Sequence, residues 1–176
     1  MQTLNSKLST ILIISLVLIF AFGVIPLKAQ QKTSIAGKIT ATYTKQETID
    51  VADIEGHIIS LAKSEGINVS TGEHEFMDSS QVVNISFGDL VKGNGVNQGY
   101  VKFAKNGDTS FAKWQGKVTT TLSTEGTPIT TLEGTFSFIK GTGQFENMQG
   151  TGTFNVKFIT EKTYISEWEG EYFIKK

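Results

Sequence analysis

A short polar stretch rich in glycine, from Asp89 to Tyr100, carries the residues best suited to orient a small molecule. Asp89, Asn94 and Tyr100 supply hydrogen-bonding groups, and the glycines between them let the backbone approach a ligand closely. The stretch resembles a dinucleotide loop only superficially, because the chain continues from Tyr100 as a strand where that fold requires a helix. We therefore expect a ligand-orienting loop at the rim of a cavity, and no nucleotide site.

Few other residues are suited to catalysis or to metal binding. The chain has no Cys and no Arg, which excludes thiolate chemistry, disulfides, zinc fingers and guanidinium clamps for anions. His57 follows a glycine at a predicted strand start and is a candidate cavity contact, whereas His74 lies between Glu73 and Glu75 and is predicted to be solvated. We predict no metal site, no cofactor and no conventional polar active site.

Three glutamates alternate along one predicted strand near the C-terminus, at Glu167, Glu169 and Glu171. Neighbouring members of this set lie about 6.8 Å apart on a strand, a spacing open to paired acid–base catalysis or to Ca²⁺ ligands. The opposite face carries Trp168 and Tyr172, however, so the segment reads as an amphipathic strand with a solvated face. Trp168 is kept as a candidate ligand contact on the apolar face.

The overall composition excludes another class of partner and indicates the fold class. All 16 basic residues are Lys against 17 acidic residues, so the formal net charge is −1 and nucleic acid is not an expected partner. The 176 residues include 18 Gly, 12 Phe and only two Pro, which is typical of short strands joined by tight turns.

Period-2 alternation predicts strands through most of the chain, most clearly over residues 131–138. Asn106-Gly107 predicts a two-residue hairpin turn. Eight or nine short strands are consistent with a sandwich or a barrel. Glycines at strand centres, Gly116, Gly134 and Gly170, favour tight curvature, so we predict an all-β fold, a single closed antiparallel barrel of about eight strands.

The N-terminal segment predicts export. Lys7 precedes an apolar run over residues 8–27, and Ala29 comes just before a polar stretch, which is the pattern of a secretory signal peptide. We predict a signal peptide over residues 1–29 and a barrel domain over residues 30–176. The mature protein is then periplasmic or secreted, without stable membrane insertion. An uncleaved membrane anchor is the alternative, because the run is just long enough to span a bilayer.

The C-terminal half, and the Ile139–Phe154 segment above all, resembles the allene oxide cyclase-like barrel superfamily, which includes the plant dirigent proteins. That segment begins as a strand and continues through Gly141-Thr142-Gly143-Gln144-Phe145. A short connection then leads to Gly150-Thr151-Gly152 and the next strand. Within the superfamily, the wider chain looks like a family of exported bacterial proteins. The matching pieces are Gly56-His57 with Leu61, Asp89-Leu90, Gly93-Asn94-Gly95, Gln98-Gly99-Tyr100, Trp114-Gln115-Gly116-Lys117 and Trp168-Glu169-Gly170. The resemblance implies an eight-stranded antiparallel barrel with an apolar cavity, often assembled as a homodimer or homotrimer, and it assigns no catalytic residue.

The function that this sequence favours is the binding of a small apolar ligand inside the barrel. Tyr100 and Trp114 are the first aromatic contacts expected, near the point where the ligand enters. Further candidate contacts are His57, Asp89, Asn94 and Trp168. The alternatives are a cyclase or isomerase, by analogy with the superfamily, and an oligomeric structural barrel without ligand. The size of the barrel interior, and any titratable group that points into it, discriminates between them.

Overall fold

The computed structural model of the protein describes residues 31–175. It contains eight strands and one short 3-10 helix, Gly143–Phe145. The strands are Thr33–Asp50 (β1), His57–Ser70 (β2), Ser80–Val91 (β3), Asn94–Lys105 (β4), Asp108–Leu122 (β5), Pro128–Gly141 (β6), Met148–Phe158 (β7) and Thr163–Ile174 (β8). Each strand is antiparallel to the next and β8 pairs with β1, so the sheet closes into a barrel. The predicted all-β architecture is confirmed.

The predicted signal peptide, residues 1–29, lies outside the described residues, so its cleavage stays a prediction. Over residues 31–175, none of the helical structure has the length and apolar character needed to cross a membrane.

Two-residue turns join β3 to β4 and β4 to β5. Asn106 and Gly107 have φ angles of 53° and 89°, so the hairpin turn predicted from Asn-Gly is confirmed. Lys92 and Gly93 have φ angles of 50° and 74° and form the equivalent turn before β4. The predicted rim loop over residues 93–99 is wrong, because β4 begins at Asn94 and pairs with β3 and β5 from there on.

The barrel interior is filled largely by aromatic side chains from β5 to β8. Phe136, Phe138, Trp114 and Trp168 are each at most 8 % exposed, and they alternate with outward polar residues as the sequence predicted. Apolar burial of this kind stabilises the fold by about 25 cal/mol per Å².

Glycines on neighbouring strands make room for these rings. Trp168 lies directly across from Gly37, and Trp114 lies directly across from Gly99. A Cβ at Gly37 would lie 2.4 Å from the Trp168 ring, and one at Gly99 would lie 2.9 Å from the Trp114 ring. The same arrangement joins Phe136 to a glycine of β7. Of the glycines predicted to allow curvature, Gly134 and Gly170 also face rings, because a Cβ there would lie 2.7 Å from Phe154 and 3.0 Å from Phe136.

One end of the barrel, called the capped end below, is closed by loop side chains. It carries the loops 71–79 and 142–147, the first residue of β1 and the last of β8. Phe76 is fully buried there, with ring centroids 5.3–5.8 Å from those of five neighbouring aromatic residues. The five neighbours are Phe103, Phe138, Phe145, Trp168 and Tyr172.

Asn68 holds the Phe76 loop in place from inside the barrel. Its Nδ2 donates to the carbonyl oxygens of Phe76 and Met77 at 3.1 and 3.0 Å, and its Oδ1 accepts from Trp168 Nε1 at 3.0 Å. Asn68 is completely buried and all three hydrogen bonds are made. The loop 71–79 with its buried Phe76, called the Phe76 plug below, is therefore a fixed part of the fold.

The opposite end, called the mouth below, has no such plug. It carries the loops 51–56, 92–93, 123–127 and 159–162, and none of the residues in these four loops is buried. Among the described residues, the mouth is therefore the end without a buried loop side chain over the interior.

The strands β2 to β4 have the reverse pattern from β5 to β8. In β3 the inward positions hold Asn84 and Ser86, while Ile85 and Phe87 lie outside and are 50 % and 45 % exposed. In β2 the inward Ser64 is buried, and the neighbouring outward side chains are exposed. This part of the wall thus has polar side chains at several inward positions and apolar ones at several outward positions, although Val82 and Phe103 stay buried inside.

Candidate functional site

The barrel encloses a cavity of about 80 Å³ between the aromatic interior and the mouth. A water molecule needs roughly 10–15 Å³ of such space, so the cavity has room for several water-sized groups. The capped end closes it from below, and Tyr43 and Phe158 line it on the side of the mouth. Its lining includes Ile39, Val82, Asn84, Ser86, Asn97, Val101, Trp114, Leu132, Phe136, Phe154, Val156, Tyr164, Ser166 and Trp168.

Asn84 and Ser86 of β3 form a polar side of the cavity, and inward polar residues of β2 and β3 bond to aromatic residues across the barrel. Trp114 Nε1 donates to Asn84 Oδ1 at 2.8 Å. Ser64 Oγ and Tyr164 Oη lie 2.7 Å apart, and Asn84 also hydrogen-bonds to Tyr164. The two aromatic residues are thus fixed in orientation by polar partners, which preorganises the cavity wall.

Asn97 differs from these residues. It points inward from β4, and its Oδ1 is buried without a hydrogen-bond partner in the described part of the chain. The residues paired with it on the two neighbouring strands are Gly88 and Gly116, which have no side chains to reach it. Buried polar groups nearly always have a partner, so an unpaired one in a cavity indicates a ligand or a bound water.

Tyr43 and Tyr164 are the two titratable residues of the cavity lining. Burial raises the pKa of both phenols, and for Tyr43 the neighbouring Tyr164 raises it further. Hydrogen bonds from Ser64 and Asn84 partly oppose that effect at Tyr164. Both phenols are therefore protonated at neutral pH, and the lining contains no carboxylate, imidazole or ammonium group.

The structure divides the aromatic residues predicted as ligand contacts. Trp114 and Trp168 line the cavity, with Trp168 at its lower, capped side. Tyr100 lies on the outer face and is 52 % exposed, because Gly99 and Val101 take the inward positions on β4. A molecule in the cavity does not reach Tyr100.

His57 and Asp89 lie together near the mouth, and neither lines the cavity. His57 Nε2 is 2.8 Å from Asp89 Oδ1, and His57 Nδ1 is 2.5 Å from Oδ1 of Asp53 in the first loop. The hydrogen bond with Asp89, followed by that with Asp53, raises the pKa of His57. The hydrogen bond with His57 also lowers the pKa of Asp53. The cluster ties the loop 51–56 to β3 and has a structural role at this position.

Asn94, another predicted ligand contact, is used to hold a turn. Its Nδ2 donates to the Lys92 carbonyl at 3.0 Å, and its Oδ1 accepts from the Thr120 backbone N–H at 2.9 Å. The side chain is exposed and bridges β4 to β5 near the mouth. It is not among the residues that line the cavity.

The remaining candidates lie on the surface. His74 is exposed in the Phe76 loop, and Glu167 and Glu169 lie on the exposed outer face of β8. Residues 31–175 contain no group of three or more His, Asp or Glu side chains arranged to hold a metal ion.

Sequence reasoning missed three residues that shape the site. Asn68 and Asn84 each stand in an Asn-x-Ser sequence, which normally marks a surface position for glycosylation, yet both lie inside the barrel. Phe76 follows Glu73, His74 and Glu75, a polar context that gives no sign of a buried ring. The signal that could have found it is the pair of large apolar residues Phe76 and Met77 in an otherwise polar loop.

Comparison with known proteins identifies the fold. The pterocarpan synthase dirigent protein GePTS1 superposes with a TM-score of 0.50 over 88 % of this chain and 95 % of its own, at 11 % sequence identity. A second pterocarpan synthase dirigent protein, PsPTS1, has a TM-score of 0.46 and 12 % identity over 84 % of this chain and 99 % of its own. No protein-family model matches the sequence, and neither does any curated protein. The dirigent-like barrel fold expected from the sequence is thus confirmed.

Proposed function

We propose that this protein is an exported bacterial barrel that binds a small, neutral, largely apolar molecule in its cavity. The observation that carries the proposal is a cavity closed at one end by the Phe76 plug and lined mainly by aromatic and aliphatic side chains. Ligand sites are typically apolar, with a few placed polar groups that fix orientation. Asn84, Ser86 and Asn97 supply such groups on one side of this cavity.

Charge supports a neutral ligand. A charged group taken out of water requires a partner of opposite charge, and the cavity lining offers none. At about 80 Å³ the cavity accepts a compact molecule, and a larger one would have to displace Tyr43 or Phe158 at the mouth. Trp114, Trp168 and Asn97 are the contacts we propose.

A thermal-shift screen of small neutral aromatic and lipid-like compounds tests the proposal. A ligand present at 100 times its dissociation constant stabilises the folded state by about 2.7 kcal/mol, which raises Tm by about 5–10 °C for a domain of this size. Failure of every compound to shift the Tm of the wild-type protein would contradict the proposal.

Three variants locate any binding that is found. Ser166→Leu fills the cavity and should abolish the shift, while Ser137→Leu on the exposed outer face of β6 should leave it unchanged. Tyr100→Ala should also leave affinity unchanged, because Tyr100 lies outside. A loss of affinity in Tyr100→Ala, with Ser166→Leu unaffected, would move the site to the outer wall.

The cyclase or isomerase alternative would have to use Tyr43 or Tyr164, the titratable groups of the lining. Their raised pKa values keep both phenols protonated, so neither is a base at neutral pH. We therefore expect bound compounds to be recovered unchanged, as checked by mass spectrometry. A rearranged product that disappears in Tyr164→Phe would establish the enzyme instead.

We also propose that the barrel assembles as a homodimer or homotrimer through the outside of β2 to β4, rather than remaining a monomeric barrel. Leu61 lies across from Phe87, and Ile85 lies across from Tyr100, on this apolar outer face. An exposed apolar surface of this kind is typical of an interface. Its large residues, each 45–57 % exposed, are Leu61, Ile67, Val69, Ile85, Phe87, Val96 and Tyr100.

Light scattering across a range of protein concentrations tests the assembly. We expect an oligomer for the wild type, a monomer for Ile85→Lys, and an oligomer for the control Thr135→Lys on the outer face of β6. A wild-type protein that is monomeric at high concentration would refute this interface.

Export is tested separately, on protein recovered from its native host. We expect mass spectrometry to find an N-terminus near Gln30 or Gln31, after removal of the signal peptide. An intact Met1 in the membrane fraction would support the anchored alternative.

A further inference from the structure

The unpaired carbonyl oxygen of Asn97 allows the ligand class to be narrowed. Resting on the proposed function, we infer that Asn97 is the hydrogen-bond anchor of the ligand, and that the cavity selects neutral molecules carrying an O–H or N–H donor. Its Oδ1 is buried and has no partner among residues 31–175, and Asn97 is one of the residues that line the cavity. A buried acceptor left unpaired destabilises the empty protein, and a donor on the ligand removes that cost.

The backbone around Asn97 keeps the position open. A Cβ at Gly88 would lie 2.8 Å from Ser60 Oγ and 3.6 Å from Asn97 Cγ, so a side chain there would crowd the space beside the amide. Gly116, on the other side, would place its Cβ 2.8 Å from Leu132 Cδ1. Glycine at both positions means that neither paired residue places a side chain beside the Asn97 amide.

Several of the other polar groups nearby already have partners. Asn84 Oδ1 accepts from Trp114, Tyr164 bonds to Ser64, and Thr120 Oγ1 donates to the Gly93 carbonyl at 2.8 Å. These bonds orient the cavity wall and do not compete for Asn97. Asn97 Oδ1 is the acceptor among the lining residues that is both buried and unpaired, so we place the ligand donor there.

The absence of charge in the lining sets the second part of the selectivity. The cavity offers a carboxylate ligand no Lys or His side chain, and it offers an ammonium ligand no Asp or Glu side chain. Either ion would lose its hydration without compensation. Neutral alcohols and amides keep the donor and avoid this loss, so they are the favoured class.

Three probes matched in size separate the contributions: benzyl alcohol, ethylbenzene and benzoate. For the wild-type protein we expect benzyl alcohol to bind about 10- to 100-fold more tightly than ethylbenzene, from the value of one buried hydrogen bond. Benzoate should not bind measurably. Calorimetric titration of each probe into the full barrel gives the affinities.

Asn97→Leu is the decisive variant, and Asn155→Leu, on the exposed face of β7, is its control. We expect Asn97→Leu to reverse the preference in favour of ethylbenzene, and Asn155→Leu to behave as the wild type. If Asn97→Leu fails to fold, Asn97→Ala removes the same carbonyl with a smaller side chain.

The outcomes test the role of Asn97 separately from the role of the cavity as the binding site. Equal binding of benzyl alcohol and ethylbenzene by the wild type, or an unchanged preference in Asn97→Leu, overturns the role of Asn97 and leaves the cavity as the binding site. If none of the three probes binds, and a compound screen also finds no ligand, the proposed function fails and the anchor fails with it.

Discussion

Two parts of the barrel wall differ in the side chains that they point into the barrel and out of it. On β5 to β8, rings such as Phe136 and Trp168 point inward, and Thr135 and Glu169 point outward. On β2 to β4, Ser64 and Asn84 point inward, while the apolar outer face is exposed. The first arrangement places hydrophobic burial inside the barrel, and the second places hydrogen bonds inside and leaves apolar surface outside.

The difference shows that a polar interior is stable where its groups are paired. Asn68 makes three hydrogen bonds to the plug and to Trp168, and Asn84 bonds to Trp114 and Tyr164. Ser64, Asn68 and Asn84 thus each hold an aromatic residue contributed by the other part of the wall. In the assembly proposed above, a second copy of the chain would cover the exposed apolar face.

A matched pair of Phe substitutions gives the largest expected contrast. Phe138 is 6 % exposed and packs against Phe76 and Phe136, so Phe138→Ala should lower the free energy of unfolding by about 3–5 kcal/mol. Phe87 is 45 % exposed, and Phe87→Ala should cost about 1 kcal/mol or less in the monomer. Urea denaturation measures both.

Protein concentration provides the control for that pair. If the outer face is covered in an oligomer, the cost of Phe87→Ala should grow as the protein concentration rises, while that of Phe138→Ala stays constant. Equal costs for the two substitutions in a monomer would contradict the assignment of inner and outer faces.

Replacing the fully paired asparagine should have the next largest effect. Asn68→Leu would leave two loop carbonyls and the Trp168 N–H without partners, which we expect to cost about 2–4 kcal/mol. Asn97→Leu, at a position without partners, should be neutral or stabilising. Thermal unfolding of the two variants side by side gives the comparison, and a similar loss in both would show that pairing is not what matters.

The His57 cluster should give the smallest effect, and one that depends on pH. Because hydrogen bonds with Asp89 and Asp53 raise the pKa of His57, its contribution to stability is complete below the unfolded value of about 6.5 and is lost as pH rises through the folded pKa. The pKa of Asp53 is lowered, so its contribution is lost only in acid, below the range of this experiment.

Chemical denaturation of wild type and His57→Gln between pH 5 and pH 9 measures that dependence. The stability difference between the two should be greatest at the acid end of this range and should shrink toward pH 9. A difference that grows with pH would mean that neutral His57 is the favoured form.

The sequence predicted the inward and outward faces of β5 to β8 well, because the burial of apolar side chains alone sets their alternation. In residues 131–138, Leu132, Phe136 and Phe138 alternate with small polar side chains, and the apolar set lies inside as expected. The closed eight-stranded barrel followed from this alternation, from the turn at Asn106-Gly107 and from the resemblance to known barrels.

The facing of β2 to β4 could not be predicted from alternation alone. Val83, Ile85 and Phe87 alternate with Asn84 and Ser86, and burial of the apolar set would place the wrong face inside. Pairing across the barrel, to Trp114 and Tyr164, decides the facing instead. Those contacts join residues far apart in the sequence, so a local sequence pattern does not predict them.

The candidate site was predicted in part for the same reason. Trp114 and Trp168 lie on strands with the regular pattern, and both line the cavity. Asp89 and Asn94 were grouped with Tyr100 because glycines suggested a flexible loop. Pairing with both neighbouring strands turned that stretch into β4 and placed the three residues outside the cavity.

The position of the start of β1 and the end of β8 has a practical consequence for handling this protein. Thr33 pairs with Tyr172, so the first and last strands begin and end side by side at the capped end. A tag, a fluorescent fusion or a sensor surface joined directly to the described barrel beside either of these strand ends is therefore anchored opposite the mouth. Such an attachment leaves the proposed ligand entrance facing the solution, so the exchange of a ligand can be timed with the mouth unobstructed.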